Sequence, residues 1–222
     1  MGHNEMWDRI GTGFQGSRLS TRLRVLASLA GLVVLVLASV ILAVSSCSDR
    51  ISQASAIQEQ GDIEGALSVY ENILSQEPDD TEALEGASVC LLLLGRYDEA
   101  LVFQERLAGL DPNNAQVRVE LGFNYLNHQG RPVDAANVLG EAASLDPSAK
   151  NLTYWAQALI ACGEQGRAEE VLRRVIETEP SYAHSYEVLY RLLCSQARAD
   201  EAQQLLEQAA GQGVVVSSLP SR

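Results

Sequence analysis

Hydrophobic and polar positions follow two different rules along this chain, and the change comes near residue 48. From Val25 to Cys47 the sequence reads VLASLAGLVVLVLASVILAVSSC, with no charge and no proline. A helix packed on a globular core keeps a polar stripe, and this run has none. Its 23 residues at helical rise span about 34 Å, enough to cross a hydrocarbon core with some tilt. A transmembrane helix is therefore predicted over 25–47.

Beyond it the pattern becomes periodic. An acidic residue precedes proline at Glu77-Pro78, Asp111-Pro112, Asp146-Pro147 and Glu179-Pro180, with the prolines 34, 35 and 33 residues apart. Gly61, Gly95, Gly130 and Gly163 keep the same beat. Ala66, Ala100, Ala135 and Ala168 each lie twelve residues before a proline, and Ala202 continues the series. A fixed period in this range marks a stack of short helical hairpins.

Each unit can be read physically. The glycine ends a first helix, because it tolerates the left-handed conformation just past a helix end. Acidic residues such as Asp62, Glu64, Asp98, Glu99, Asp134 and Asp200 open the second helix, at the positive end of its dipole. Pro132 suits a helix start, and each later proline closes a second helix by forcing the preceding residue out of helical geometry. Short connections make neighbouring helices antiparallel, and stacking buries one continuous core. The third repeat has one extra residue in its internal turn, and the fourth has lost one in the loop before it. In the fifth, Ala197 replaces the turn glycine.

Charge separates the regions further. Residues 1–24 carry four arginines against two carboxylates, a balance of +2; the remaining 12 Lys/Arg and 27 Asp/Glu leave −15 beyond residue 48. A domain this acidic repels nucleic acid and anionic headgroups, so nucleic-acid binding is excluded as an expectation. Arg18, Arg22 and Arg24 crowd one flank of the apolar run, while only Arg50 follows closely on the other. The positive-inside rule then puts a leader, 1–24, in the cytoplasm and the repeats outside it. The run itself reads as an uncleaved signal anchor. A lipoprotein signal is the rival, because Val44-Ser45-Ser46-Cys47 is similar to a loose lipobox that would lipidate Cys47. Cleavage and release is a third route with the same sidedness. The predominance of arginine over lysine hints at a GC-rich bacterial genome.

Candidate chemistry adds little. Gly11-Thr12-Gly13-Phe14-Gln15-Gly16 matches a dinucleotide-binding fingerprint, but the strand and βαβ unit that it needs are missing around it. Cys90, Cys162 and Cys194 fall in helical segments, where buried thiols are common, and no Cys/His spacing suits zinc. His3, His128 and His184 are scattered, so neither an enzyme activity, a metal nor a cofactor is expected.

Taken together, the motifs resemble the tetratricopeptide repeat (TPR), whose signature is W-x2-L-G-x2-Y, then A-x3-F, then P. Leu121-Gly122-Phe123-Asn124-Tyr125 reproduces the first half. Ala66 with Tyr70 and Pro78, Ala135 with Leu139 and Pro147, and Ala168 with Leu172 and Pro180 reproduce the second. Tyr97-Asp98-Glu99-Ala100-Leu101 and Leu110-Asp111-Pro112-Asn113-Asn114 are similar to phrases of the family, whereas Gln104 stands where its aromatic belongs. The resemblance implies an all-α, right-handed TPR superhelix of about five hairpins over 48–213, following the transmembrane helix, with a tail over 214–222.

The family's register implies a concave groove lined by first helices. It assigns to that groove Glu85, Val89 and Leu92, then Val119, Phe123 and Leu126, then Thr153, Gln157 and Ile160, then Glu187 and Arg191. Glu82, Gln116, Lys150 and His184 stand one turn earlier in each helix. About half of such a set is expected to pack against neighbouring hairpins instead. The Lys, Arg and Asn pattern of a carboxylate clamp is missing, so a peptide C-terminus is not the expected ligand. An extended peptide or a partner helix suits the mixed groove better. No polar capping helix follows the fifth hairpin, so Leu205, Leu206 and Ala209 are expected to meet a partner, a second copy, or the valine-rich tail. The expected function is a membrane-tethered, extracytoplasmic scaffold for protein–protein interaction in envelope assembly or secretion. An accessory factor for cytochrome c maturation and a structural homo-oligomer are the alternatives.

Overall fold

A computed structural model describes Val33 and residues 49–216. The chain divides into two compact units, 1–53 and 54–222. In the first, Val33 and residues 49–53 are helical. The leader, Cys47 and, but for Val33, the predicted membrane span lie outside the described residues. Among the described residues no helix is long and apolar enough to cross a membrane.

The described part of the second unit is all helix and turn. Residues 54–59 form α1. There follow α2 (Ile63–Gln76), α3 (Thr81–Leu93), α4 (Tyr97–Leu110), α5 (Ala115–Asn127), α6 (Pro132–Leu145), α7 (Ala149–Ala161), α8 (Gln165–Thr178), α9 (Ala183–Ser195) and α10 (Ala199–Gly211). They pair as five hairpins, as the period predicts.

The turn chemistry is local and repeated. Gly61, Gly95, Gly130 and Gly163 all have positive φ, between 60° and 89°. Asp80, Asn114 and Ser148 cap α3, α5 and α7 by accepting backbone N–H groups, which satisfies donors that the helix leaves unpaired. Asp62 does the same for α2. The residues before the prolines, Glu77, Asp111, Asp146 and Glu179, have extended ψ between 71° and 95°, which ends each second helix. A different device, invisible as a family motif, opens three of the second helices. Arg96, Arg131 and Arg198 stand at the cap position without a capping side-chain bond, and each pairs with the carboxylate three residues on. The expected irregularities are present: four residues, 128–131, join α5 to α6, and three, 146–148, join α6 to α7.

The core explains the alanine beat. Ala66, Ala100, Ala135 and Ala168 have no exposed surface, so the two helices of a hairpin approach where a larger side chain would not fit. One helical turn later Tyr70, Leu139 and Leu172 fill the space between helices. At the corresponding place Gln104 is equally buried, and Asn124 Nδ2 donates to its Oε1 at 2.7 Å. Phe103, one position away, packs instead on Leu84, Leu107 and Val117. In the signature segment Gly122 is required because a Cβ there would lie 2.5 Å from Leu139 Cγ.

Of the three occupants expected for the face of the fifth hairpin, the structure shows the valine-rich tail: Leu205 and Ala209 are buried, and Val214 and Val216 pack on the core to which they belong. Val214 N–H donates to the Ala209 carbonyl at 2.9 Å, which turns the tail back over the hairpin. One expectation needs correction: the cysteines are not uniformly interior, since Cys90 is buried, Cys162 half-buried and Cys194 exposed. Cys194 sits on the outward side of an amphipathic helix, where the sequence position alone gave no reason for burial.

Candidate functional site

Curvature selects the face. Within repeats three to five, the backbones of α5 and α7, and of α7 and α9, come close together, whereas those of α6 and α8, and of α8 and α10, do not. The first helices therefore lie closer together and form the inner face. Residues three and four apart on each of them project to that face.

There the structure gathers Phe123, Leu126 and Asn127 from α5, Gln157 and Ile160 from α7, and Val188, Arg191, Leu192 and Ser195 from α9. They line a cavity of about 420 Å³. Five of the residues assigned from the sequence, Phe123, Leu126, Gln157, Ile160 and Arg191, meet in it. Val119 and Thr153 do not: they are 3% and 0% exposed and belong to the interior beneath the face. Glu85, Val89 and Leu92 lie on α3 away from this cavity, the first exposed and the other two half-buried. Asn127, Val188, Leu192 and Ser195 were missed. Val188 and Leu192 form an i, i+4 apolar pair, a signal that the sequence does carry but that equally describes a core stripe.

Beside the cavity an aromatic and polar ridge runs across α7 and α9. Phe123 and Tyr154 meet edge to face with centroids 4.7 Å apart, and Tyr154 meets His184 at 6.3 Å. Lys150 Nζ sits 5.9 Å from the centroid of the Tyr154 ring. Gln157 Nε2 lies 3.0 Å from His184 Nε2, and His184 Nδ1 lies 3.2 Å from Glu187 Oε2. An amide nitrogen can only donate, so in this arrangement Nε2 accepts and Nδ1–H donates to Glu187. Glu187 is thereby turned to the histidine. Arg191, in contrast, has no carboxylate within ion-pair distance among the described residues.

A larger cavity, about 610 Å³, opens elsewhere between α5, α6, α7 and the start of α8. Its wall includes Trp155, to which Gly140 gives room, and the guanidinium of Arg167 lies 5.6 Å from the indole centroid. Its charges are already met within the chain, Arg118 by Glu141 at 2.9 Å and Arg167 by Glu164. Size alone therefore does not make it the better site. Among the described residues no group of three or more His, Cys, Asp or Glu is placed to hold a metal.

Comparison with known proteins agrees with this architecture. The tetratricopeptide repeat family model matches residues 58–121. A barley (Hordeum vulgare) protein described as a probable UDP-N-acetylglucosamine–peptide N-acetylglucosaminyltransferase SPINDLY is 26% identical over 171 residues, 73% of this chain and 18% of that protein. Cellulose synthase operon protein C of Pseudomonas fluorescens is 26% identical over 131 residues, 59% of this chain and 10% of that protein. The chain thus spans well under half the length of the curated relatives that it matches. Among solved structures, MamA residues 41 to the end from Desulfovibrio magneticus superposes with a TM-score of 0.67 at 17% identity, covering 74% of this chain and 93% of that one. YrrB, described as a TPR protein with an unusual peptide-binding site, gives 0.62 at 20% identity, covering 72% and 82%. Residues 58–121 carry the family's signal, and the unit as a whole is a TPR-like solenoid of about five hairpins.

Proposed function

From the premise of a TPR-like solenoid we propose that this chain is a membrane-tethered, extracytoplasmic scaffold. It holds a protein or peptide segment on the inner face of repeats three to five. The observation that carries the reading is the meeting of Phe123, Leu126, Gln157, Ile160 and Arg191 around one cavity on that face. Apolar anchors with a few polar groups beside them suit an extended peptide or one face of a helix. The peptide site ascribed to YrrB, on the same fold, supports this reading. Nothing in the reading requires catalysis, and the SPINDLY likeness transfers none, because the chain spans 18% of that protein.

The tether is the apolar run 25–47, and Arg18, Arg22 and Arg24 hold its leading end in the cytoplasm. A scaffold so placed serves assembly or secretion at the envelope. The test is affinity capture with the membrane-extracted full chain, comparing the natural protein with Phe123→Ala plus Ile160→Ala. Both residues are only partly buried, so the helical circular dichroism should hold while partners are lost. An unchanged partner set would remove the groove from consideration.

A further inference from the structure

We infer that the groove selects an apolar segment carrying one acidic side chain, Asp or Glu, and that Arg191 reads it. This rests on the groove reading above and adds the chemistry of its occupant. Beyond residue 48 the chain has 27 Asp/Glu against 12 Lys/Arg, so most of its cations find an anion. Arg174, exposed on the second helix α8, is without one among the described residues but does not line the groove cavity. Arg96, Arg106, Arg118, Arg131, Arg167, Arg173 and Arg198 each have a carboxylate within 4.0 Å. Arg191 has none among the described residues, although it is exposed and lines the cavity. The carboxylate closest in sequence on its own helix, Glu187, faces His184 instead. Lys150, on the same inner side and also without an ion pair among the described residues, stands over Tyr154.

The cavity therefore joins an apolar wall, from Phe123, Leu126, Ile160 and Leu192, to an unmatched guanidinium. A planar fork of five donors fits a carboxylate, and the apolar wall fits a Leu, Ile or Phe one turn or two residues away from it. The surrounding charge of −15 limits the occupant. Its repulsion extends about 8–10 Å at physiological salt, so a run of acidic residues is disfavoured while a single one at contact is accepted. A side-chain carboxylate is the committed source. No second cation lines the cavity to clamp a chain terminus.

The test uses the full chain in detergent micelles, immobilised, with a displayed library of random peptides. The selected peptides are then synthesised with Asp or Glu, with the matching amide, and with free or amidated C-termini. The expected result is enrichment of an apolar pair with one nearby acid. The amide version should bind on the order of fivefold more weakly, the scale of an exposed ion pair. Arg191→Gln should bind acid and amide versions alike, and Arg191→Glu should prefer a Lys version. Apolar peptides that bind without acid preference, or a preference unmoved by Arg191→Gln, or dependence on a free C-terminus, would each overturn the inference and leave the groove reading standing. Selected peptides that bind Phe123→Ala plus Ile160→Ala as well as the natural protein, or a selection with no apolar enrichment, would overturn both.

Discussion

Ala197 takes the turn position that glycine holds in the other four hairpins, and it keeps their backbone, with φ of 58°. A Cβ in left-handed geometry costs about 1 kcal/mol or more, while glycine loses more freedom on folding. The two effects oppose, and relief of the Cβ strain is the larger where φ is already positive. Ala197→Gly is therefore expected to stabilise the domain by about 0.5–1 kcal/mol, read from the urea midpoint at constant slope. A neutral or destabilising result would show that the turn relaxes around the alanine.

Residue by residue, the legible positions were those where backbone or contact geometry leaves no choice. Gly61 must turn left, Ala135 must let two helices touch, and Gly122 must clear Leu139. The groove was less legible. Val119 and Phe123 are a turn apart on one helix, yet the first is buried and the second lines the cavity. A single residue gained or lost turns a helix face by about 100°, and this chain gains one before α6 and loses one before α7. The two changes cancel between α5 and α7, so α3, α5, α7 and α9 begin at Thr81, Ala115, Ala149 and Ala183 and the copied register does not drift. Val188 and Leu192 escaped it because each stands one residue beyond an assigned position, Glu187 and Arg191, on the flank of that line. Pairing of Arg191 is a property of space rather than of spacing, and the sequence held no sign of it.

At the scale of elements, charge fastens the last hairpin to the one before it. Arg198, opening α10, reaches Glu169 on α8 at 2.6 Å and Glu201 on its own helix at 2.6 Å; Arg173 on α8 bonds to the same two carboxylates. The hydrogen bond from Arg198 holds Glu169 below its ordinary 4.5, with Arg173 adding to it against the effect of burial. Glu201 is lowered for the same first cause. Carboxylates lowered by folding contribute stability that is fully present above their ordinary value and is lost as pH falls through the lowered one. On acidification from about pH 5 to about pH 3, amides of α9 and α10 should lose hydrogen-exchange protection before those of α5 and α6. Arg198→Gln should lower protection at neutral pH and flatten this acid dependence. Equal acid slopes in the two proteins would assign the loss to other carboxylates. The tail acts at the same joint by a different force: Val214 and Val216 cover the core while Val215, 80% exposed, points away, an alternation of the kind that an extended segment gives.

For the molecule as a whole, a solenoid whose hairpins each touch mainly their neighbours needs no closed interior. It can present one continuous inner face. On the proposed membrane-tethered reading, the compartment in which that face lies is set by three arginines before an uncharged run. Cys194 offers a reporter for this sidedness, because it is exposed on α9 while Cys90 is buried. In right-side-out membrane vesicles a membrane-impermeant maleimide should label the natural protein more than Cys194→Ser, without permeabilisation. Buried Cys90 should react only after denaturation, which separates access across the bilayer from access within the fold. If the difference between the two proteins emerges only when the vesicles are opened, the repeats face the cytoplasm. The groove and its acidic guest would then belong to that compartment, and the three arginines would not be the orienting signal.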